Sequence, residues 1–312
     1  MDTVLAPEAR ESRPRAEQSR ARYPEATGIA ERAGGRIAWE VYGRGEPRIM
    51  FVPPWQIVHA RIWKAQIPYF ARHHRVIAWD ARGNGRSDRP LEPEAHTDHA
   101  QADDLVAVLD ATGTDAAVLV SLSGAANPAI VAASDHPQRV LGLVFIAPSV
   151  ALGQPRPERQ VPFEERLASD EGWSKQNIHF WRRDFPGFLE FFFGKAFPEP
   201  HSTKPIEDGV GYGLDTDAET LAATMRAPFV DRAELLDRCA RIRHPTLIIQ
   251  GDDDLISHVS RGVELAHAIQ DAQLEILQGA GHIPNVRDPV RVNLLIRDFI
   301  RSVPGEQDHA GA

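Results

Sequence analysis

Five short runs of this chain, at 75–80, 116–121, 140–147, 246–251 and 274–278, are almost continuously apolar, and stretches with helical periodicity at 62–71, 99–112, 124–134, 260–269 and 289–301 separate most of them. A strand reads as an unbroken apolar run when both of its faces are covered, and alternation with helices is how a parallel sheet acquires that cover. The expected class is therefore α/β, with a mostly parallel, doubly wound sheet. Two earlier runs, 36–42 and 48–52, are joined by a Gly-rich turn at 43–46, short enough to make them antiparallel neighbours.

The alternation stops between about 149 and 229. That interval offers no strand candidate and holds 12 of the chain's 23 aromatic residues. Trp181, Phe185, Phe188 and Phe192 recur there at spacings of three and four, which sets them on one face of a helix, with Phe191 and Phe193 widening the stripe. Such a stripe either forms the core of an inserted helical cap or, in part, lines a pocket for an apolar substrate. Both readings stay open at this point, with those four aromatics as the substrate-binding candidates.

Composition narrows the partners. With 42% apolar residues in 312, the chain can bury a sizeable core, and its formal charge of -9 gives no basic field to attract a phosphate backbone, so nucleic acid is not an expected partner. Cys239 is the only cysteine, which excludes an internal disulfide and fits a reducing compartment. The longest apolar runs are far too short for a bilayer span, and the first residues lack an apolar signal core, so the expectation is a soluble, unprocessed, cytoplasmic protein without membrane contact. Residues 1–28 carry five Arg, five acidic residues and three Pro with little to bury, and are expected to form a mobile tail, as are 305–312. Between them lie a first core segment (29–148), the cap (149–230) and a second core segment (231–304).

The chemistry-bearing residues begin at Val118-Leu119-Val120-Ser121-Leu122-Ser123-Gly124-Ala125-Ala126, where a buried strand runs through small residues into a helix. Ser123 sits at that turn, where a side chain projects from the carboxyl end of the sheet and the next amide faces the same space. Alone, such a serine is more often a helix cap. The neighbouring glycines of the pattern Gly-x-Ser-x-Gly are replaced by Ser121 and Ala125.

With these residues, and with Asp80-Ala81-Arg82-Gly83-Asn84-Gly85-Arg86-Ser87-Asp88-Arg89-Pro90 upstream, the chain resembles the α/β-hydrolase superfamily over roughly 34–150 and 240–303. The latter segment looks like the family's loop after its third strand, with a structural role. The resemblance implies a triad ordered nucleophile, acid, histidine. In Gln250-Gly251-Asp252-Asp253-Asp254 it selects Asp254, where composition alone leaves Asp252 and Asp253 as rivals, and in Gly279-Ala280-Gly281-His282 it selects His282. It also implies two oxyanion donors, the Gly124 amide and one from the loop after residue 52. That loop departs from the family's His-Gly: Pro53 and Pro54 have no amide hydrogen, so Trp55 is the first residue able to donate, followed by Gln56.

The implied activity is hydrolysis of a carboxylic ester, thioester or lactone of an apolar or aromatic small molecule through an acyl-serine, with no cofactor and no metal. Carbon-carbon hydrolases, perhydrolases and acyltransferases share the triad, and some relatives are small-molecule receptors. Oligomeric state leaves no trace in the sequence.

Overall fold

A computed structural model of the protein describes residues 20–32 and 34–303. In chain order its elements are β1 (Ala26–Arg32), β2 (Gly35–Tyr42), β3 (Ile49–Val52), α1 (Ile67–Phe70), β4 (Val76–Trp79), α2 (Asp98–Ala111), β5 (Ala117–Leu122), α3 (Ala126–Asp135) and β6 (Val140–Ile146). After β6 come α4 (Ile178–Ala196), α5 (Thr203–Gly213), α6 (Ala218–Arg226), α7 (Arg232–Arg241), β7 (Thr246–Gly251), α8 (Ser260–Ala268), β8 (Gln273–Leu277), α9 (Pro284–Arg287) and α10 (Pro289–Ser302).

Among the described residues the strands form one eight-stranded sheet in the order β1-β2-β4-β3-β5-β6-β7-β8. β2 runs antiparallel to β1 and β4, and every other pair is parallel. The inner strands β3 to β7 are buried along their whole length. Because successive side chains point to opposite faces, each strand feeds two cores: Phe51, Val120 and Val144 pack on one side of the sheet, and Met50, Leu119 and Phe145 on the other.

Three expectations need correction. The strands at 36–42 and 48–52 are antiparallel in direction but not neighbours, because β4 lies between them: Val76 pairs with Tyr42 on one side and Ile49 on the other. The turn joining them crosses the backbone leading into β4, and a β-carbon at Gly43 would stand 2.2 Å from the Ala71 carbonyl oxygen, so the Gly-rich turn serves that crossing. The expected tail at 1–28 ends too late, since 26–28 open β1 and Arg20 already bonds Glu40 at 2.7 Å; residues 1–19 lie outside the described residues, as do 304–312 and with them the C-terminal tail. Finally, β8 is not buried on both faces. Among the described residues it pairs only with β7, and its first four residues alternate between exposed and partly covered, with Leu277 alone buried.

No strand interrupts the described chain between Ile146 and Thr246. Its longest helix, α4, is bent at Asp184 (φ -149°, ψ 70°), and Pro186 follows within the helix. Asp184 Oδ1 accepts from the Gly187 amide at 2.9 Å, so it caps the second half as an N-cap residue would. The aromatic stripe therefore spans a kink rather than one straight face. No helix among the described residues is long and apolar enough to cross a membrane.

Candidate active site

β5 delivers Ser123 into a tight turn in which its φ is +57°, a left-handed conformation that costs a non-glycine residue about 1–3 kcal/mol and is held only by its surroundings. Those surroundings are specific. Ser121, in place of the usual glycine, is buried with its hydroxyl donating to the Val144 carbonyl at 3.2 Å, and the Ser149 amide donates to the Ser123 carbonyl at 3.1 Å. Gly124 has open space where a β-carbon would stand, so a small residue is not required there for packing.

The loop after β8 brings His282 to the same place. Its amide donates to the Ala196 carbonyl at the end of α4 at 3.1 Å, and a β-carbon at Gly281 would stand 2.4 Å from Pro198 Cδ, so the loop runs tight against the helical insert. His282 Nε2 lies 2.9 Å from Ser123 Oγ, and Nδ1 lies 2.8 Å from Asp254 Oδ2. Asp254 is 0% exposed and His282 3%. Asp254 is fixed on its other oxygen by the amides of Ile256 (2.7 Å) and Ser257 (2.8 Å), and Gln250 Nε2 donates to Oδ2 at 3.2 Å. Asp252 and Asp253 are exposed, and Asp252 accepts from the Gly279 amide at 2.6 Å. Among the described residues, no group of three or more His, Cys, Asp or Glu side chains could hold a metal ion.

Opposite the histidine, the loop after β3 carries Pro54, Trp55 and Gln56 into the wall of a cavity of about 500 Å³ that also contains Ser123, Gly124 and His282. The Asp80–Pro90 segment braces this loop. Asn84 Nδ2 donates to the Gln56 carbonyl (2.8 Å), Asp80 accepts from the Ala60 amide (3.0 Å), and Ser87 Oγ bonds back to the Asp80 carbonyl (2.6 Å). Trp55 is tied across to the insert, its indole Nε1 donating to Thr224 Oγ1 at 2.7 Å.

Of the four aromatics singled out as substrate contacts, Phe192 lines the cavity, with Phe193 beside it. Trp181, Phe185 and Phe188 do not. They pack against one another, with Trp181 and Phe188 at 4.5 Å between centroids and Phe185 and Phe188 at 6.3 Å, and Trp181 and Phe188 also back the Trp55 ring. Periodicity marks a buried face, and here most of that face is the insert's own core.

Several cavity residues carried no sequence signal: Arg156 and Arg159 from the loop after β6, Arg261 on α8, and Asp98 with Asn127 at α2 and α3. Asp98 accepts from the Val230 amide at 2.8 Å, and burial pushes its pKa from 3.8 up to about 6. The folded chain thus holds this proton more tightly than the unfolded chain, and the stability so gained is complete below the ordinary value and lost as pH rises through about 6. Asp98→Asn, which can still accept from Val230, is expected to raise stability above pH ~6 by about 2–3 kcal/mol and leave it unchanged near pH ~3. Thermal unfolding of both proteins across that range checks this; parallel curves would refute it.

Comparison with known proteins bears on the fold and on the class of activity. The chain is 28% identical over 243 residues to a 2-hydroxymuconate semialdehyde hydrolase of Pseudomonas sp. strain CF600, covering 76% of this chain and 80% of that protein. Its fold matches that of Est816, described as an N-acyl homoserine lactone degrading enzyme, at TM-score 0.72 and 29% identity, covering 87% of this chain and all of that one. It also matches the esterase RhEst1 from Rhodococcus sp. ECU1013 at TM-score 0.74 and 25% identity, covering 88% and 98%. These relatives support hydrolase activity. Residues 58–289 match the sequence model of the alpha/beta hydrolase fold, and with this sheet order and this serine turn the chain belongs to that family.

Proposed function

We propose that the protein is a serine hydrolase that cleaves a carboxylic ester, thioester or lactone of a largely apolar small molecule through an acyl-Ser123 intermediate. The observation that carries this reading is the unbroken relay from Asp254 Oδ2 to His282 Nδ1 (2.8 Å) and from His282 Nε2 to Ser123 Oγ (2.9 Å), opening on one cavity.

A serine hydroxyl is a weak nucleophile at neutral pH, so His282 accepts its proton as Oγ attacks the carbonyl carbon. Asp254 accepts from Nδ1–H, which fixes the tautomer that leaves Nε2 free to act as base, and it stabilises the imidazolium that forms. The tetrahedral oxyanion receives hydrogen bonds from the backbone N–H groups of Trp55 and Gly124. The carbon–oxygen bond to the leaving group then breaks, His282 returns the proton to the departing alcohol, and the acyl group stays on Ser123. Water, deprotonated by His282, attacks the acyl-enzyme; the bond from the acyl carbon to Ser123 Oγ then breaks, His282 returns the proton to Oγ, and a carboxylic acid leaves. Helices α4, α5 and α6 act as a cap whose Phe192 and Phe193 supply the apolar wall. Cys239, buried away from this site, takes no part, and the chain suits a reducing, cytoplasmic setting.

Incubation with a fluorophosphonate probe is expected to add one phosphonyl group to the peptide carrying Ser123, and a panel of p-nitrophenyl esters is expected to be turned over. Wild-type protein that is neither labelled nor active on any ester would overturn the assignment.

A further inference from the structure

Three guanidinium groups stand at one end of the cavity, where an apolar pocket would have none. Arg156 and Arg159 come from the loop after β6, and Arg261 comes from the first turn of α8. Their hydrogen bonds go chiefly to backbone carbonyls: Arg156 to Asp254, Arg159 Nη1 to Ile256 at 2.7 Å, and Arg261 Nη1 to Val150 at 2.8 Å. Arg159 and Arg261 have no carboxylate within ion-pair distance among the described residues. Arg156 reaches only the half-exposed Glu158, at 3.6 Å.

Each of the three also keeps a buried Nε without a hydrogen-bond partner among the described residues. A guanidinium has five N–H donors and is costly to bury unpaired. Consistent with that cost, burial and the neighbouring Arg261 charge push Arg159 down to about 10 against the opposing pull of Asp254, and burial lowers Arg261 as well. Of the two carboxylates near this end, Asp254 is already engaged by His282, and Glu158 is half-exposed and single against three guanidiniums. The charge excess is therefore positive. It is also close to the reacting atoms, since Arg261 Nη1 reaches Ser149 Oγ at 3.5 Å, and the Ser149 amide bonds the Ser123 carbonyl.

We infer that Arg156, Arg159 and Arg261 form an anion subsite, and that the substrate is an ester or lactone carrying a carboxylate a few carbons from the scissile bond. This rests on the hydrolase reading above and adds the substrate class. An anion there supplies the charge-assisted, bidentate partner that the guanidiniums lack, while the apolar wall of Trp55, Phe192 and Phe193 covers the rest of the molecule. A neutral substrate of the same shape leaves the guanidiniums unpaired, and that penalty is what discriminates.

The test compares p-nitrophenyl hemiglutarate with the neutral ester in which an isopropyl group replaces the carboxylate. Wild-type protein is expected to favour the hemiglutarate by about tenfold or more in kcat/KM. Arg159→Gln and Arg261→Gln should each shrink that ratio, whereas Arg159→Lys, which keeps a cation, should retain part of it. A brace that merely ties the loops together would change both rates alike and leave the ratio untouched, and equal wild-type rates on the two esters, a measurement that requires no variant, would overturn the subsite outright. Binding of the corresponding anilides by calorimetry separates the two levels. Tighter binding of the anionic anilide with no ester turnover supports the subsite and removes the hydrolase reading; ester turnover with no preference for either charge does the reverse.

Discussion

Ser123→Ala is expected to reduce kcat on p-nitrophenyl esters by about 10⁴- to 10⁶-fold while leaving the fold in place, because the substitution removes one oxygen and nothing that holds the turn. The left-handed φ of +57° is imposed by the strand on one side, by the helix on the other and by the Ser149 amide on the Ser123 carbonyl, and an alanine keeps the β-carbon and hence the same strain. What disappears is the partner of His282 Nε2 at 2.9 Å. The residual rate would come from bound substrate polarised by the amides of Trp55 and Gly124 and attacked directly by water, which sets the floor well below the wild-type rate but above the uncatalysed one. Steady-state kinetics beside denaturant unfolding checks both halves. A variant that is as stable as wild type and still turns over at more than a tenth of its rate would show that another group is the nucleophile.

The parts of the fold that sequence reveals are those whose burial is complete. β5 and β6 read as strands because helices cover them on both faces, so nearly every residue is apolar. β1 escapes because only Ala30 of its seven residues is buried, and what holds it is its backbone ladder with β2 together with the bonds of Arg32 to Asp103 and Asp104 on α2. The adjacency of β2 and β3 could not be settled by turn length, since a short Gly-rich link can cross the end of a strand as well as join neighbours. Only the identity of the strand that fills the gap decides, and that is a long-range fact.

The same distinction runs through the site. Ser123, Asp254 and His282 stand at strand ends, where a local pattern of apolar run, small residues and turn marks the position. Their meeting needs the sheet to be assembled, for the serine and histidine are 159 residues apart. The arginines have no such local mark. Arg156 lies in a polar loop, where a basic residue ordinarily means solvent, and its placement comes from a bond to Asp254 across 98 residues. For the aromatic stripe, periodicity identified a face to be buried but not the surface it meets; Trp181 and Phe188 meet the back of Trp55, and only Phe192 and the adjoining Phe193, toward the end of the helix, reach the cavity.

Asp254→Asn is expected to lower kcat by about 10³- to 10⁴-fold, and Asp253→Asn by less than about threefold, at equal folding. An asparagine at 254 must choose which way its amide faces. Its oxygen is best placed on the Ile256 and Ser257 amides, which approach Oδ1 at 2.7 and 2.8 Å, because turning it away would set two buried donors against an NH₂ group. The NH₂ then faces His282 Nδ1 and Gln250 Nε2 in place of Oδ2. To avoid donor against donor, the imidazole must accept at Nδ1 and carry its proton on Nε2, aimed at Ser123 Oγ, where a base is needed. The loss is thus one of tautomer and not of packing, so it should fall on kcat while unfolding curves stay close to wild type. Asp253 is exposed and contributes its backbone amide to the Ala280 carbonyl at 3.1 Å, which an asparagine preserves. A larger loss in Asp253→Asn than in Asp254→Asn would move the acid to its neighbour and detach the relay from the hydrogen bonds described for it.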